Sequence, residues 1–188
     1  MGSFQNVAGP DGIYQGRYAV AKLDASTGAV LAWTPGCPCS TSQYAFGAVS
    51  QGNSVYVAMG GSDWIAGYDI TTGSQKWRTD TDGQAQTIGI MGDRLVVGGH
   101  FRHAAYAPML QGGEGNCYDN PEKCAESLRL AAFTFNGFLD TGWAPRAGPE
   151  YYGVWTHWIN GSELYIGGIF SNVSGVPHRG FARLSGGA

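Results

Sequence analysis

The stretch Phe46-Gly47-Ala48-Val49-Ser50-Gln51-Gly52-Asn53-Ser54-Val55-Tyr56-Val57-Ala58 decides the fold class of this chain. Two runs of strand-forming residues lie on either side of a short turn that contains Gly and Asn. Both residue types tolerate the positive φ that a tight β-turn requires, so this arrangement is a strong local signal for a β-hairpin. The sequence therefore predicts two antiparallel strands joined at this turn.

The same pattern recurs twice further along the chain. The second copy spans 86–98 and the third spans 155–167, each with a Gly-containing turn at the same place. A third strand is predicted after each hairpin, at 65–70, 130–135 and 181–184, and the first two copies continue into a fourth strand. Four antiparallel strands in a repeat of about 40 to 50 residues are typical of a β-propeller blade.

We therefore predict an all-β fold, namely a β-propeller fragment of about three to four four-stranded antiparallel blades, the first and last incomplete. Both ends contain a third-strand segment, so they duplicate each other and cannot close a ring by pairing. The expected partners are further blades of the same parent protein or other copies of the chain. The predicted units of this single segment, 1–188, are a partial blade at 1–36, a blade at 43–80, a blade at 84–146 with an insertion at 102–127, and a partial blade at 151–184.

The composition favours strands joined by tight turns. The 188 residues include 31 glycines, and only 13% are charged, against about 25% in an average soluble domain. The net charge is -3 and the Lys and Arg residues are scattered, so no basic patch for a nucleic acid is visible. No apolar run approaches the roughly 20 residues that span a bilayer. We expect neither nucleic-acid binding nor membrane insertion.

The four cysteines form two local pairs, Cys37 with Cys39 and Cys117 with Cys124, in segments rich in Gly, Pro, Asn and Ser. An even number of cysteines in such loops indicates disulfides and an oxidising compartment. A zinc site is the alternative, although neither spacing matches the usual C-x2–4-C knuckle, and free thiols are a third possibility. We predict a Cys117–Cys124 bond, while the connectivity of four cysteines has three solutions.

Five aromatic residues lie in or beside predicted loops and are the candidate binding residues: Trp64, Tyr106, Tyr118, Tyr151 and Tyr152. Rings in loops stack on sugars or anchor protein partners, whereas packing between blades is the competing role.

His157 is a further candidate, because it aligns with Ile88 and Ala48 on the innermost strand of its blade. It either lines a central channel or is a hydrogen-bonded core residue. No G-x-S-x-G elbow and no Gly-rich phosphate loop before a helix is present, so we predict no catalytic residues. His100 and His103 lack a third ligand nearby, and we predict neither a metal site nor a cofactor.

Three segments carry a family resemblance: GGIFSNVSG at 167–175, RGFARL at 179–184 and NGFLDTGWAP at 136–145. They resemble the bacterial surface propellers built from delta-60-type repeats, whose pattern is G-G-x-F-x-x-V-x-G, R-x-x-L-A-R-L-x and G-x-L-D-x-x-W-x-P. The middle copy departs from it at Ser62-Asp63-Trp64, where Phe and Val are expected. The resemblance implies an exported, often surface-attached propeller for recognition or display, and it carries over no catalytic residues.

The segment 67–77, GYDITTGSQKW, is also similar to the blade signature A-x-D-x-x-x-G-x-x-x-W of quinoprotein dehydrogenases, which bind pyrroloquinoline quinone. In such propellers Asp and Thr cap the turn and Trp packs between blades, a role that non-enzymatic relatives share. We therefore expect a non-enzymatic binding or scaffolding propeller, extracellular or on the cell surface, whose ligand is a glycan or a protein. The alternative is part of a propeller enzyme, such as a quinone-dependent dehydrogenase or a hydrolase.

Overall fold

The computed structural model describes residues 2–35, 43–109, 117–149 and 152–185. Within these ranges the regular structure is β-strand, apart from one 3-10 turn at Pro121–Lys123. The all-β prediction is therefore confirmed. The strands are β1 Asn6–Ala8, β2 Tyr14–Gly16, β3 Tyr44–Gln51, β4 Ser54–Gly60, β5 Trp64–Asp69, β6 Gln75–Asp80, β7 Ala85–Met91, β8 Arg94–Gly99, β9 His103–Ala105, β10 Cys124–Glu126, β11 Leu130–Thr134, β12 Ala147–Gly148, β13 Gly153–Asn160, β14 Glu163–Ile169, β15 Asn172–Val173, β16 Val176–Pro177 and β17 Phe181–Ser185.

Three antiparallel sheets form the body of the molecule. Sheet A has the order β3-β4-β5-β6, sheet B has β7-β8-β11 and sheet C has β13-β14-β17. Each begins with a predicted hairpin, whose turn glycine, Gly52, Gly92 or Gly161, has a φ near +60°. Such a φ strains any residue with a Cβ, so Gly at these three places defines the hairpin. The third strands lie within one residue of their predicted bounds.

Among the described residues, a fourth strand is present only in sheet A. In the second copy it is reduced to one bridge between Phe133 and Leu139. The chain then turns at Asp140, whose carboxylate accepts a hydrogen bond from the Gly142 amide. This local turn leads the backbone away from β11, so the fourth strand predicted for this copy does not form as a ladder.

The sheets stack in the order A, B, C, and each has a forward face toward the next sheet and a back face toward the preceding one. The forward face of sheet A packs on the back face of sheet B, and the forward face of sheet B packs on sheet C. Small residues permit the close approach: Gly89 lies against His157, and Gly98 lies against Val154. The contact between A and B includes Tyr56, Ala58, Ile65, Ile88, Leu95 and Val97, and that between B and C includes Val96, Leu130, Leu164, Ile166 and Ala182.

The N-terminal segment, residues 2–35, covers the back face of sheet A. Ala19, Val20 and Trp33 are buried there against sheet A. The β1–β2 hairpin lies in the same segment, and the chain continues to a bridge between Leu23 and Val30. The segment therefore occupies the position in the stack that precedes sheet A.

Two buried tryptophans connect neighbouring units by hydrogen bonds. The indole N–H of Trp33 donates to the carbonyl of Asp69 in sheet A at 3.0 Å, and that of Trp77 donates to the carbonyl of Phe135 beyond sheet B at 2.8 Å. Both side chains are buried, and each indole N–H has an acceptor within the protein. These bonds link the N-terminal segment to sheet A and sheet A to the chain that follows sheet B.

Carboxylate-capped turns precede both tryptophans. The Asp69 carboxylate accepts hydrogen bonds from the amides of Thr71 and Thr72, and Asp24 caps the turn before Trp33 in the same way. The hydroxyl of Ser26 and the neighbouring amides lower the pKa of Asp24 to about 2. These contacts are the turn-capping role expected for an Asp and a Thr in this pattern.

The insertion folds against the outer edge of sheet A. Residues 103–109 run beside β6 and bridge it at Thr81 and Arg78. The strands β9 and β10 pair within the insertion, and Cys117 is bonded to Cys124, as the sequence predicts. With Ala105, the two cysteines form a small apolar cluster separate from the three main ones. The insertion therefore has a small cluster of its own around the disulfide, while Ala104 of β9 belongs to the core between sheets A and B.

Replacing Trp77 with Phe is expected to lower the free energy of unfolding by about 2 kcal/mol, because the bond to Phe135 is lost and a void remains. The matched control is Trp155→Phe. Trp155 donates a similar bond to Tyr152, at 3.0 Å, but is 49% exposed, so a loss below about 0.5 kcal/mol is expected. Urea unfolding measures both; equal losses would contradict the role of the buried bond.

Replacing both Cys117 and Cys124 with Ser is expected to destabilise the insertion by roughly 2 to 3 kcal/mol, the value for closing a short loop. Because the two cysteines lie in a small cluster of their own, the loss should be greatest around them. Hydrogen exchange would show faster exchange in β9 and β10 and unchanged protection in β4 and β8. Uniform loss of protection, or none, would contradict this prediction.

Candidate functional site

The loops that join the strands of the stack gather at one edge. The first strands, β3, β7 and β13, lie side by side, since Gly47 contacts Ile88 and Gly89 contacts His157. They also run in the same direction, so the loops before them lie at one edge, which we call the loop edge, and the hairpin turns lie at the opposite one. The insertion leaves β8 and returns to β11 at the loop edge. Side chains far apart in sequence therefore meet there.

Asp82, His103 and Tyr118 form the most organised polar group at this edge, which we call the loop-edge site. One Asp82 carboxylate oxygen accepts hydrogen bonds from the amides of Arg102 and His103 at 2.6 and 2.7 Å. The other lies 2.6 Å from Nδ1 of His103, and the Tyr118 hydroxyl donates to the Asp82 carbonyl at 2.5 Å. The insertion is thereby attached to the loop between sheets A and B.

The Asp82 side chain is largely buried, whereas that of His103 is 45% exposed. A carboxylate that accepts from Nδ1 orients the imidazole ring, and the exposed part of the ring faces solvent. The ring can then exchange hydrogen bonds with a bound molecule. Tyr118 adds an aromatic surface, because its side chain is 71% exposed while its hydroxyl is held. The loop-edge site thus combines the oriented imidazole of His103 with the exposed phenol ring of Tyr118.

A second layer of charged groups lies beneath the loop-edge site. Arg78 makes two hydrogen bonds to the nearly buried Asp80, at 2.8 and 3.0 Å. Burial raises the pKa of Asp63, and burial lowers the pKa of His100, whose Nε2 accepts from the Gln84 amide. The raised pKa of Asp63 and the lowered pKa of His100 both favour the neutral form of the side chain, as expected for partly buried groups.

The structure separates the predicted aromatic residues. Tyr118 lies at the loop edge, Tyr106 directly follows β9 in the insertion, and Tyr152 contacts Trp155 at the start of β13. All three are exposed. Tyr151, like Cys37 and Cys39, lies outside the described residues. The predicted aromatics therefore do not converge on a single surface.

The expectation that Trp64 lies in an exposed loop is wrong. Trp64 is the first residue of β5, and its side chain is fully buried in the cluster between sheet A and the N-terminal segment. The guanidinium of Arg78 lies 5.7 Å from the ring centre. The N-terminal segment covers this face, which is why a residue beside a predicted loop becomes a core residue.

His157 lies between sheets B and C. Its Nδ1 is 2.7 Å from the Thr87 hydroxyl, and its ring packs on Gly89. Burial lowers the pKa of His157 to about 4. Of the two interpretations of this residue, a hydrogen-bonded position within the packed interface is the one that this geometry matches.

Sequence analysis did not predict Asp82 as a site residue, and it weighed His103 only as a candidate metal ligand. An Asp in the short connection between β6 and β7, before the start of a new repeat, is the available signal, but its partners lie about 20 residues or more away. Among the residues described, no group of three or more His, Cys, Asp or Glu side chains is placed to hold a metal ion. The described part of the chain also contains no helix long and apolar enough to cross a membrane.

Comparison with known proteins gives no family. No protein-family model matches the chain, and no curated protein matches it. Among solved structures, the chain is similar to the computationally designed Ika8 protein, with 14% identity and a TM-score of 0.45 over 90% of this chain and 42% of that one. The designed Ika4 protein shows 10% identity and a TM-score of 0.36 over 76% of this chain and 91% of that one. The chain thus spans less than half the length of Ika8, and neither likeness carries an argument about function.

Replacing His157 with Gln is expected to reduce the acid sensitivity of the fold. The folded pKa, about 4, is below the ordinary 6.5, so between these values the unfolded chain takes up a proton that the folded chain does not. Stability should fall by up to about 3 kcal/mol as the pH falls through this window. Gln retains a partner for Thr87 and does not titrate. Urea unfolding from pH 7 to pH 4 measures both proteins; parallel pH dependences would contradict the prediction.

Proposed function

We propose that this chain is a segment of an exported β-propeller of the delta-60-like repeat class, and that it is a non-enzymatic binding or scaffolding module outside the cell. Its ligand is a glycan or a protein. The observation that carries the proposal is the stack itself: three sheets of one repeat follow each other forward face to back face, with their connecting loops at one edge. This is how propeller blades are arranged, and loops on a rigid scaffold are where binding residues concentrate.

The Cys117–Cys124 disulfide supports the extracellular part of the proposal. Disulfides form and persist in oxidising compartments and are rare in the cytosol. The bond lies in the insertion that carries Tyr118, so it stabilises the segment that we assign to binding. An exported module benefits from such a covalent link, because a small loop cluster has little core of its own.

The loop-edge site is the surface that we assign to ligand binding. Asp82 and His103 are immobilised by four hydrogen bonds within or to the loop, so little conformational entropy is lost when a ligand binds. The exposed ring of Tyr118 offers a flat apolar face for a sugar ring or for a side chain of a protein.

The residues that resemble a quinoprotein signature have structural partners. Asp69 and Thr72 bond to each other within the turn, and the Trp77 indole bonds to the next unit. These contacts account for the pattern without a cofactor, and they support the non-enzymatic function over the quinone-dependent one.

Glycan and protein arrays test the proposal. We expect reproducible binding by the wild-type protein and an affinity at least about fivefold weaker for Tyr118→Ala, since removing an aromatic anchor commonly costs about 1 kcal/mol or more. Phe138→Ala is the matched control, because Phe138 is 51% exposed at the opposite edge.

The possible array results distinguish an error in the proposed function from an error in the location of the binding site. Absence of binding to every array component by the folded protein would refute the binding function. Binding that Tyr118→Ala and Phe138→Ala leave equally strong would refute the loop-edge site and retain the function.

A further inference from the structure

A β-bulge recurs at the same place in the first strand of each of the three sheets. In each case the pairing with the second strand shifts register around one extra residue. A bulge bends its strand and changes the direction in which a side chain points, and bulges are common beside binding sites. The extra residues are Phe46 in β3, Gln86 in β7 and Trp155 in β13.

The three extra residues lie at the same level on adjacent strands. Gly47 and Thr87 directly follow the first two of them, and a Cβ added to Gly47 would lie 3.7 Å from the Cα of Thr87. Val154 directly precedes the third, and the side chains of Val154 and Thr87 both approach Gly98. The bulges of neighbouring sheets are therefore aligned, and the three extra residues form a row, which we call the bulge row.

Two members of the bulge row are exposed aromatic residues, each in contact with a second ring. Phe46 meets Tyr44 edge to face, with ring centres 5.1 Å apart, and Trp155 meets Tyr152 in the same way at 6.4 Å. The side chains of Phe46 and Trp155 are 40% and 49% exposed. Sheet A has a neighbour on both of its faces, so the exposure of Phe46 does not arise from an uncovered sheet face.

Gln86, the middle member of the row, has an unused hydrogen-bond acceptor. Its Oε1 atom is buried and has no hydrogen-bond partner in the part of the chain that the structure describes. A buried acceptor without a donor is costly, and few occur in native proteins. A bound molecule with an O–H or N–H group at this position would supply the missing bond.

The first strands of the three sheets carry no formal charge. None of β3, β7 and β13 contains Asp, Glu, Lys or Arg, and burial lowers the pKa of their single histidine, His157, to about 4. A charged ligand would lose hydration on this surface without gaining an opposite charge. The bulge row therefore suits a neutral molecule that has hydroxyl groups and C–H surfaces.

A β-strand of another protein is a poor fit to this surface. The strands β3, β7 and β13 lie at the edges of their sheets, where a peptide strand could add by backbone pairing. Bulges twist an edge strand, and native proteins use them to prevent such pairing. This protection requires neither aromatic rings nor an amide, so the side chains of the row favour a ligand that does not pair with the backbone.

We propose that the bulge row binds a neutral oligosaccharide. The rings of Phe46 and Trp155 stack on the C–H faces of sugar units, because the face of an aromatic ring attracts polarised C–H groups. Gln86 Oε1 accepts a hydrogen bond from a sugar hydroxyl. The row shares no residue with the loop-edge site, so it is a second binding surface that does not depend on the ligand of that site.

Isothermal titration calorimetry with tetrasaccharides of glucose, mannose, xylose and N-acetylglucosamine tests the proposal. We expect at least one of them to bind the wild-type protein with a Kd of about 1 mM or lower. Phe46→Ala and Trp155→Ala are each expected to weaken this binding at least about fivefold. Trp158→Ala is the matched control, because Trp158 is an exposed tryptophan of β13 outside the bulge, and its affinity should stay within about twofold of the wild type.

Gln86→Leu separates binding from folding. Leu keeps a similar volume without the amide, so the same tetrasaccharide should bind at least about fivefold more weakly. The urea midpoint should be unchanged or higher, because no hydrogen bond of Gln86 Oε1 within the protein is lost. A lower midpoint would show that the amide is bonded within the protein, which would overturn its role as the acceptor for the ligand.

Other outcomes would overturn the proposal as a whole or relocate the saccharide. No binding of any of the four tetrasaccharides by the folded wild-type protein at about 10 mM would overturn it. Tighter binding of an acidic tetrasaccharide from heparin, or binding of peptides alone, would overturn the neutral class of ligand. Binding that is lost in Tyr118→Ala and retained in Trp155→Ala would place the saccharide at the loop-edge site, which would support the proposed function and overturn the bulge row.

Discussion

Two of the three contacts between successive units contain a buried indole that donates a hydrogen bond to the backbone of the next unit. Trp33 reaches Asp69 in this way, and Trp77 reaches Phe135. Each bond is directional, so it favours one distance and one alignment of the two units that it joins. Burial of apolar area has no preferred direction, so apolar faces alone would allow adjacent units to slide past each other. A hydrogen bond is directional and opposes such sliding.

The loop-edge site depends on this alignment of sheet A with sheet B. Once adjacent sheets are aligned, the connection between β6 and β7 lies beside the start of the insertion, and Asp82 reaches the amides of Arg102 and His103. The insertion could then lengthen without disturbing the stack, since it leaves and rejoins the body at one edge. The scaffold thus supplies position, and the insertion supplies the exposed chemical groups.

The face-to-face alignment of the sheets also explains why both faces of each sheet carry apolar residues. Each sheet has apolar residues on both faces because each is built to lie between two others, as Ile88 and Val96 show on opposite faces of sheet B. Sheet C carries the same two-sided pattern, with Leu164 and Ile166 on the face toward sheet B and Phe181 on the opposite face. Among the described residues no sheet covers that opposite face, so Phe181 is exposed although the corresponding Leu130 is a core residue. The exposed Phe181 and the buried residues between the sheets therefore belong to the same two-sided pattern.

The amino-acid sequence by itself determined the hairpins, the third strands and the capped turns, because these depend on neighbouring residues: a Gly at a positive φ, or an Asp that accepts from amides two and three residues away. Only the tertiary structure decided which side chains are buried and which meet. Trp64 is a core residue because a segment about 30 residues earlier covers it, and His157 is paired with Thr87, 70 residues away. The conformation of a turn is determined by residues adjacent in sequence, whereas burial of a side chain depends on which distant segment packs on its face of the sheet.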